Sequence, residues 1–182
     1  MSVIDALRAL GGLVDMRPPF ARRGVALRAR PPKARKASIT DMTEYVLPQH
    51  ANVFGAVFGG QIMAWVDICA AICAQRHAGL PCVTAFVDDL LFRRPVRVGQ
   101  VVRLHAEVRA TFLTSMEIEV IVTGEDTVTR ATWPCVRCLV TFVAVDAAGA
   151  PTAVPPLLLE TPADEEAQAA AVERRRARLA KR

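Results

Sequence analysis

Residues 52–67 read Asn52-Val-Phe-Gly-Ala-Val-Phe-Gly-Gly-Gln-Ile-Met-Ala-Trp-Val-Asp67, a glycine-bearing loop that runs into an apolar segment. The segment predicts a helix from Gly60 to about His77, which Gly79-Leu-Pro81 ends. Five of its side chains have the spacing of one helix face: Ile62, Met63, Val66, Ala70 and Cys73. Asp67 is the only carboxylate in this helix. Because an unpaired buried charge is costly, we expect Asp67 to face a partner or a ligand.

Strand-like runs surround this helix. Thr40–Leu47 precedes it, and four β-rich runs follow: Cys82–Phe92, Val98–Phe112, Ser115–Thr123 and Thr132–Val145. Arg93-Arg-Pro95 and Gly124-Glu-Asp126 interrupt the runs. This order predicts an α+β fold, in which a curved antiparallel sheet of at least five strands wraps a long central helix. The open edges of such a sheet favour pairing between two copies of the chain.

The chain divides into three parts. Its 182 residues are 52% hydrophobic, enough for one domain, and no apolar run reaches the roughly 18 residues of a membrane span. We expect a basic, disordered leader at 1–39, the domain at 40–160 and an Arg-rich helix at 161–182, with acids at its start and bases at its end. Residues 17–40 contain eight Lys and Arg and no acid, whereas 41–163 carry a net charge of −4. The leader is a solvated tail, an organelle-targeting segment or a tether for an acidic partner.

The five cysteines indicate a reducing, cytoplasmic location, and no metal site is expected. Cys135 and Cys138 have CxxC spacing, but they lie in a strand, where residues three apart point to opposite faces. Cys69 and Cys73 are one helical turn apart, where cysteine behaves as a small hydrophobic residue.

The sequence lacks the motifs of several classes of enzyme. None of the three serines lies in GxSxG, and neither a P-loop nor GxGxxG is present. Of the three histidines, His77 is expected to close the helix and His105 to lie at the surface or in packing.

Asp67 and the Gly59-Gly60 helix start remain as the chemical candidates. A helix N-terminus offers free N–H groups and the positive end of a dipole, which together stabilise an oxyanion. A nearby carboxylate can activate water or attack directly, and Asn52 can orient the reactants. The alternative is that Asp67 is a structural acid that caps a neighbouring loop.

Asn52-xx-Gly55-xx-Phe58-Gly59-Gly60-xx-Met63-xxx-Asp67 resembles the signature of the hotdog-fold acyl-CoA thioesterases. The resemblance covers about residues 41–182. It continues through His77-Ala-Gly-Leu-Pro-Cys82-Val-Thr-Ala-Phe-Val-Asp-Asp89, Arg94-Pro-Val-Arg-Val-Gly-Gln100, Phe112-Leu-Thr-Ser-Met-Glu-Ile118 and Val172-Glu-Arg-Arg-Arg-Ala-Arg-Leu179. The sequence resembles both the short bacterial members and the single units of the two-domain eukaryotic acetyl-CoA and brown-fat-type enzymes.

The resemblance implies that a fatty or short-chain acyl-CoA is hydrolysed without a cofactor other than the CoA of the substrate. It implies a homodimer or a trimer of dimers, with Asp67 as the catalytic acid and Asn52 as its partner from the opposite subunit. Gly59 and Gly60 would polarise the thioester oxygen. The implied CoA contacts are Ala85, Phe86, Val87, Thr114, Ser115, Met116 and Arg176.

Three other functions stay open at this stage. A non-catalytic acyl-CoA sensor would share the fold, and a hotdog hydratase or dehydratase would pair an acid with a histidine, for which His50 is the nearest candidate. A nucleic-acid-binding protein would use the basic leader, but no nucleic-acid partner is expected, because a folded basic face with interleaved aromatic residues is missing.

Overall fold

The computed structural model of the protein describes residues 30–88 and 90–180. The strands are β1 (Lys33–Ala34), β2 (Thr40–Tyr45), β3 (Cys82–Asp88), β4 (Val101–Thr111), β5 (Ser115–Glu125), β6 (Thr132–Ala144) and β7 (Leu157–Leu158). The helices are α1 (Gly59–Ala78) and α2 (Pro162–Ala180), and short 3-10 turns form at Arg35–Ala37 and Pro48–His50. Five strands make one antiparallel sheet in the order β2-β4-β5-β6-β3. The predicted fold, a long helix against a five-stranded antiparallel sheet, is confirmed.

The predicted helix is confirmed to within one residue at each end. Gly79 ends α1 in the left-handed conformation, with φ of 63°. The buried residues of α1 are Ile62, Trp65, Val66, Cys69, Ala70, Cys73, Ala74, His77 and Ala78. Met63 follows the same spacing but is 47% exposed, so the apolar face of the helix is buried only in part. It lies one turn before Asp67 on the side of α1 that faces β3, and β3 is the last strand of the sheet.

Alternate residues of the three long strands pack against α1 and form the core. Those of β4 are Val102, Leu104, Ala106 and Val108, those of β5 are Met116, Ile118, Val120 and Val122, and those of β6 are Val136, Cys138, Val140 and Phe142. The period of two residues is that of a strand with one face in the core.

The sequence predicts a break at Gly124, whereas β5 continues through Glu125. Gly124 serves close packing here, because a Cβ atom at this position would lie 2.4 Å from Cε2 of Trp133 on β6. The turn comes after the strand, where Asp126 N donates to Ala131 O at 2.9 Å.

The two CxxC cysteines do not point to opposite faces, so that prediction is wrong. Cys135 and Cys138 are both buried in the core. The pairing register of β5 and β6 shifts between Val122 and Thr123, which is the mark of a β-bulge. The extra residue interrupts the alternation and turns both thiols inward.

Part of the predicted leader is structured, so the expectation of disorder through residue 39 is wrong for residues 33–39. β1 pairs in parallel with β7, and Lys33 N donates to Pro156 O at 2.9 Å. The side chains of Arg30 and Lys33 donate to the last carbonyl groups of α1, at Ala78 and Arg76. Two cations therefore stabilise the negative end of the helix. The rest of the leader, residues 1–29, lies outside the described residues.

His77 joins this segment to the core. Its ring is fully buried, with Nδ1 3.3 Å from Ser38 Oγ and Nε2 3.1 Å from Pro155 O. The pair of contacts fits a neutral ring that accepts from the hydroxyl and donates to the carbonyl. His77 thus has a structural place at the end of α1.

α2 lies on the face of the sheet opposite α1. Gln168 forms two hydrogen bonds of 3.1 Å with the backbone N and O of Thr111. Glu117 on β5 is fully buried and alternates with core residues, so it points towards α2, where Arg174 donates to it. A buried carboxylate needs such a partner, because an uncompensated charge there is strongly destabilising.

Candidate active site

Asp67 lies in the middle of α1 and is half-buried. Its Oδ1 accepts a hydrogen bond of 2.6 Å from Oγ1 of Thr84, on the neighbouring edge strand β3. Sequence reasoning missed Thr84, because residues 17 positions apart in two different elements show no periodic relation. The carboxylate is therefore oriented by one partner and retains a second oxygen for chemistry.

Asn52 shapes the loop that precedes α1. Its Oδ1 accepts from Phe54 N at 2.9 Å and from Ala56 N at 3.3 Å. Gly55, with φ of 71°, makes the tight turn that brings these N–H groups to the side chain. Because Oδ1 is occupied by the loop, the side-chain NH2 group is the part of Asn52 that can donate to a ligand.

Gly59 and Gly60 form the first turn of α1. The preceding residue, Phe58, has no side chain that can cap the helix, and the first helical bonds run from Gln61 and Ile62 to Phe58 O. The N–H groups of Gly59 and Gly60 have no acceptor among the described residues. Two donors are thus available at the positive end of the helix.

Within one chain, the Asp67 carboxylate does not lie close to the N–H groups of Gly59 and Gly60. Asp67 is seven residues after Gly60, which corresponds to about 10 Å along the helix axis. No hydrogen bond joins Asn52 to Asp67 in the described part of the chain. Within one chain, the carboxylate of Asp67 and the free N–H groups of the first turn are therefore well separated along α1.

The residues Ala85, Phe86 and Val87 lie exposed on β3. The register between β3 and β6 shifts between Thr84 and Phe86, so Ala85 occupies a bulge. The guanidinium of Arg178 on α2 lies 5.1 Å from the centre of the Phe86 ring and donates to Asp88 Oδ2 at 3.0 Å. The C-terminal helix is therefore attached to the strand that carries Thr84.

The turn between β4 and β5 only partly fits the predicted CoA contacts. Thr114 is half-buried, and Ser115 is buried, with its carbonyl accepting from Phe112 N at 2.8 Å. The Met116 side chain is fully buried in the core. Only the backbone of Met116 is therefore available to CoA, and the contact stays a prediction.

Arg176 is exposed on α2, and no ion pair involves it among the described residues. Its neighbours are engaged: Arg174 donates to Glu117, and Arg175 lies over the Phe112 ring with 4.4 Å to its centre. Of the clustered arginines, Arg176 is accordingly the one that faces solvent.

His50 does not pair with Asp67. Its ring packs edge-on against Trp65 with 5.2 Å between the ring centres, and its Nδ1 accepts from Leu47 N at 3.3 Å. Trp65 and Asp67 are two residues apart and so lie on nearly opposite sides of α1. His105 is distant in sequence and bonds to Asp41 at 2.7 Å.

None of the helices within residues 30–88 and 90–180 is long and apolar enough to cross a membrane. In the same part of the chain, His, Cys, Asp and Glu side chains nowhere gather in a group of three that could hold a metal ion.

Comparison with known proteins identifies the family. The model of the thioesterase superfamily matches residues 54–131. Mouse acyl-coenzyme A thioesterase 11 is 42% identical over 110 residues, which are 60% of this chain and 18% of the mouse protein. The chain therefore spans less than a fifth of the length of that relative, and 25% of the mouse and rat acetyl-coenzyme A thioesterases.

The solved structures that resemble this chain are matched over a larger share of their own length than the mouse and rat proteins are. A Staphylococcus aureus acyl-CoA hydrolase in complex with butyryl coenzyme A, coenzyme A and coenzyme A disulfide is 33% identical, with a TM-score of 0.75 over 83% of this chain and 94% of its own. Variants of that enzyme with alanine in place of an aspartate, an asparagine and a threonine also match. An apo-hexameric acyl-CoA thioesterase is 32% identical, with a TM-score of 0.79 over 84% of this chain and 97% of its own. The chain belongs to the hotdog-fold acyl-CoA thioesterase family.

Proposed function

We propose that this protein hydrolyses acyl-CoA thioesters to a free acid and CoA, and so acts in lipid metabolism. The observation that carries the proposal is the carboxylate of Asp67, oriented by Thr84 and placed beside an open strand edge. The residues substituted in the Staphylococcus aureus variants are an asparagine, an aspartate and a threonine, spaced 15 and 17 positions apart. Asn52, Asp67 and Thr84 have the same spacing here.

The proposed mechanism combines the hydrogen-bond donors at the start of α1 and on Asn52 with the carboxylate of Asp67. The N–H groups of Gly59 and Gly60 polarise the thioester oxygen, and the NH2 group of Asn52 aligns the reactants. Asp67 either takes a proton from water as the water attacks the carbonyl carbon or attacks that carbon itself. In the first case the proton taken from water passes to the sulfur as the carbon–sulfur bond breaks, which gives the free acid and the CoA thiol. In the second case the attack expels the CoA thiolate and leaves a mixed anhydride on Asp67. Water then hydrolyses the anhydride to the free acid and the carboxylate, and the proton released in that step protonates the thiolate. No metal or redox cofactor enters these steps.

The spacing along α1 supports a site that is shared between two subunits. Because Asp67 is about 10 Å from the first turn of its own helix, a second copy must supply the carboxylate opposite Asn52 and Gly59. The side of α1 beyond Asp67 carries the exposed residues Ile68 and Ile72, and the adjoining β3 is an unpaired edge. An apolar helix face beside an open edge favours pairing with a second β3. The hexameric neighbour is consistent with a trimer of such dimers.

CoA binding is proposed along β3 and α2. The exposed backbone of residues 85–87 can pair with the amide groups of the pantetheine arm, and Arg176 can hold a phosphate in bidentate fashion. Thr114 and Ser115 contribute backbone and hydroxyl groups at the neighbouring turn. The five free cysteines fit a reducing compartment such as the cytoplasm.

The test is hydrolysis by Asp67→Asn, followed as thiol release from butyryl-CoA and palmitoyl-CoA. We expect kcat to fall by about 10²–10⁴-fold, the range that a general base contributes. Asp41→Asn, which removes an exposed carboxylate on β2, is the matched control and should retain activity. Turnover retained by Asp67→Asn, with an unchanged circular dichroism spectrum, would overturn the mechanism. A wild-type protein that binds CoA esters without releasing thiol would instead be a sensor.

A further inference from the structure

Two phenyl rings flank the first turn of α1. A Cβ atom on Gly59 would lie 3.4 Å from Cζ of Phe92, and a Cβ atom on Gly60 would lie 2.9 Å from Cε1 of Phe58. Each ring therefore touches one of the two glycines whose N–H groups lack an acceptor. Each of the two proposed oxyanion donors therefore has an aromatic ring close to it.

The backbone that follows Phe92, whose side chain is 45% exposed, is anchored on two sides. Arg93 N donates to Cys135 O at 2.8 Å, and the guanidinium of Arg94 lies 4.7 Å from the centre of the Trp133 ring. On the other side, Val57 N donates to Val96 O at 2.8 Å, which joins this loop to the loop before α1. The segment is anchored on both β6 and the glycine loop, so the position of Phe92 beside the first turn of α1 is set by the fold.

The rings determine what can occupy the space beside the donors. A carbonyl oxygen that accepts from Gly59 or Gly60 lies about 3 Å from the nitrogen, and the first carbons of the acyl chain then lie within one or two bond lengths of the carbonyl carbon. Those carbons then lie within reach of the ring beside the same turn. A phenyl ring accepts a flat or straight neighbour but excludes a branch that would overlap it.

We propose that Phe92 is a specificity-determining residue that admits straight acyl chains and rejects chains that branch beside the carbonyl, with Phe58 as a second apolar wall beside Gly60. The inference rests on the proposed hydrolysis at the first turn of α1. It concerns the acyl group alone, since the proposed CoA contacts lie on β3 and α2.

The experiment compares butyryl-CoA with isobutyryl-CoA, which have the same number of carbons and differ in the branch. For the wild type, Phe92→Ala, Phe92→Leu and Leu91→Ala, kcat/KM is measured for both esters by thiol release. We expect the preference for the straight chain to fall about tenfold or more in Phe92→Ala, the order that pocket shape contributes to discrimination. Phe92→Leu should fall between Phe92→Ala and the wild type. Leu91→Ala removes the preceding apolar side chain, which is 62% exposed, and should leave the ratio unchanged.

The outcomes separate this inference from the proposed function. If the wild type hydrolyses neither ester nor any longer one, the proposed function fails. If the wild type hydrolyses butyryl-CoA but both Phe92 variants keep its ratio, the role of Phe92 is overturned and the hydrolase remains. An equal loss for both esters in Phe92→Ala and Phe92→Leu also overturns it, because the residue would then support the loop without selecting the acyl group.

Discussion

The hydroxyl of Thr84 donates a 2.6 Å hydrogen bond to Oδ1 of Asp67, and this contact joins the edge strand β3 to the middle of α1. The bond occupies one carboxylate oxygen and fixes the plane of the group. This hydrogen bond also sets the position of the second oxygen, Oδ2. Thr84 is therefore a positioning residue, which affects the proposed reaction through Asp67.

Replacement of Thr84 by valine keeps the shape of the side chain and removes the donor. We expect kcat to fall about 10–100-fold, because a hydrogen bond to a charged group contributes about 1.5–3 kcal/mol. KM should change little, since the bond orients the carboxylate and does not hold CoA. Thr84→Ser should restore most of the rate, which a purely structural role for the methyl group does not predict. Thr123→Val, on β5, is the matched control.

A site shared between subunits predicts complementation. Asn52→Ala and Asp67→Ala should each be inactive as pure proteins. When the two are unfolded together and refolded, about half of the dimers contain one copy of each, and each such dimer has one intact site of two, so about a quarter of wild-type activity should return. If Asn52 and Asp67 of one chain acted on the same substrate, the mixture would stay inactive.

His77 predicts a loss of stability in mild acid. Burial lowers the pKa of its imidazole below the ordinary 6.5, an effect that the charges of Lys33 and Arg30 reinforce against the hydrogen bond to Pro155. The unfolded chain then binds the proton more tightly, so the stabilisation is complete above pH 6.5 and declines as the pH falls below it. Urea unfolding at fixed protein concentration, between pH 7.5 and about 5, measures this slope. His77→Gln keeps a donor and an acceptor and should flatten it; an equal slope in the variant would contradict the assignment.

The contact between Arg174 and Glu117 predicts a large energetic coupling. Arg174→Met leaves the buried carboxylate with only the more distant Arg178, at 3.7 Å, and should lower the free energy of unfolding by about 3 kcal/mol. Combining it with Glu117→Met should recover much of that loss, because the double variant buries no charge. Arg176→Met, on the exposed side of the same helix, should change the free energy of unfolding by less than about 0.5 kcal/mol. Additive effects of the two single changes would show that the pair is not coupled.

The cysteines should react slowly in the folded protein. Burial raises the pKa of Cys69 to about 11 and that of Cys73 to about 12, and it raises the pKa of Cys82 to about 11. The thiolate is the reactive form, so alkylation by iodoacetamide at pH 8 should be about 100-fold slower than in urea, with mass spectrometry as the readout. Rapid labelling of Cys73 in the native state would show that α1 opens.

Sequence periodicity predicted the parts of the fold whose pattern is local. α1 and the long strands were recognisable because each carries an apolar face through ten or more residues. Gly124 was wrongly predicted to end a strand, because a glycine is needed there to make room for the Trp133 ring on β6 and not to form a turn. The short β1 was missed, because two residues show no period and a basic composition favours a solvated tail.

The residues of the candidate site also fall into those with a local sequence signal and those without one. Asp67 was recognisable as a lone acid in an apolar helix, and the resemblance to the thioesterase signature implied Asn52 as its partner. Thr84, Glu117 and Phe92 have no such local signal. Each matters through a contact in space, with Asp67, with Arg174 57 residues away, or with Gly59, and only the folded chain brings those pairs together.

The pairing of β1 with β7 closes a loop of about 120 residues, so it gains little until the sheet between them has formed. This segment is expected to fold last and to open first, and its amide hydrogens should exchange before those of β4 to β6. Its opening would release the C-terminal end of α1, where Arg30 and Lys33 bind, and not the first turn, where the reaction is proposed. The helix thus has one end that can fray without cost to catalysis and one that must stay rigid.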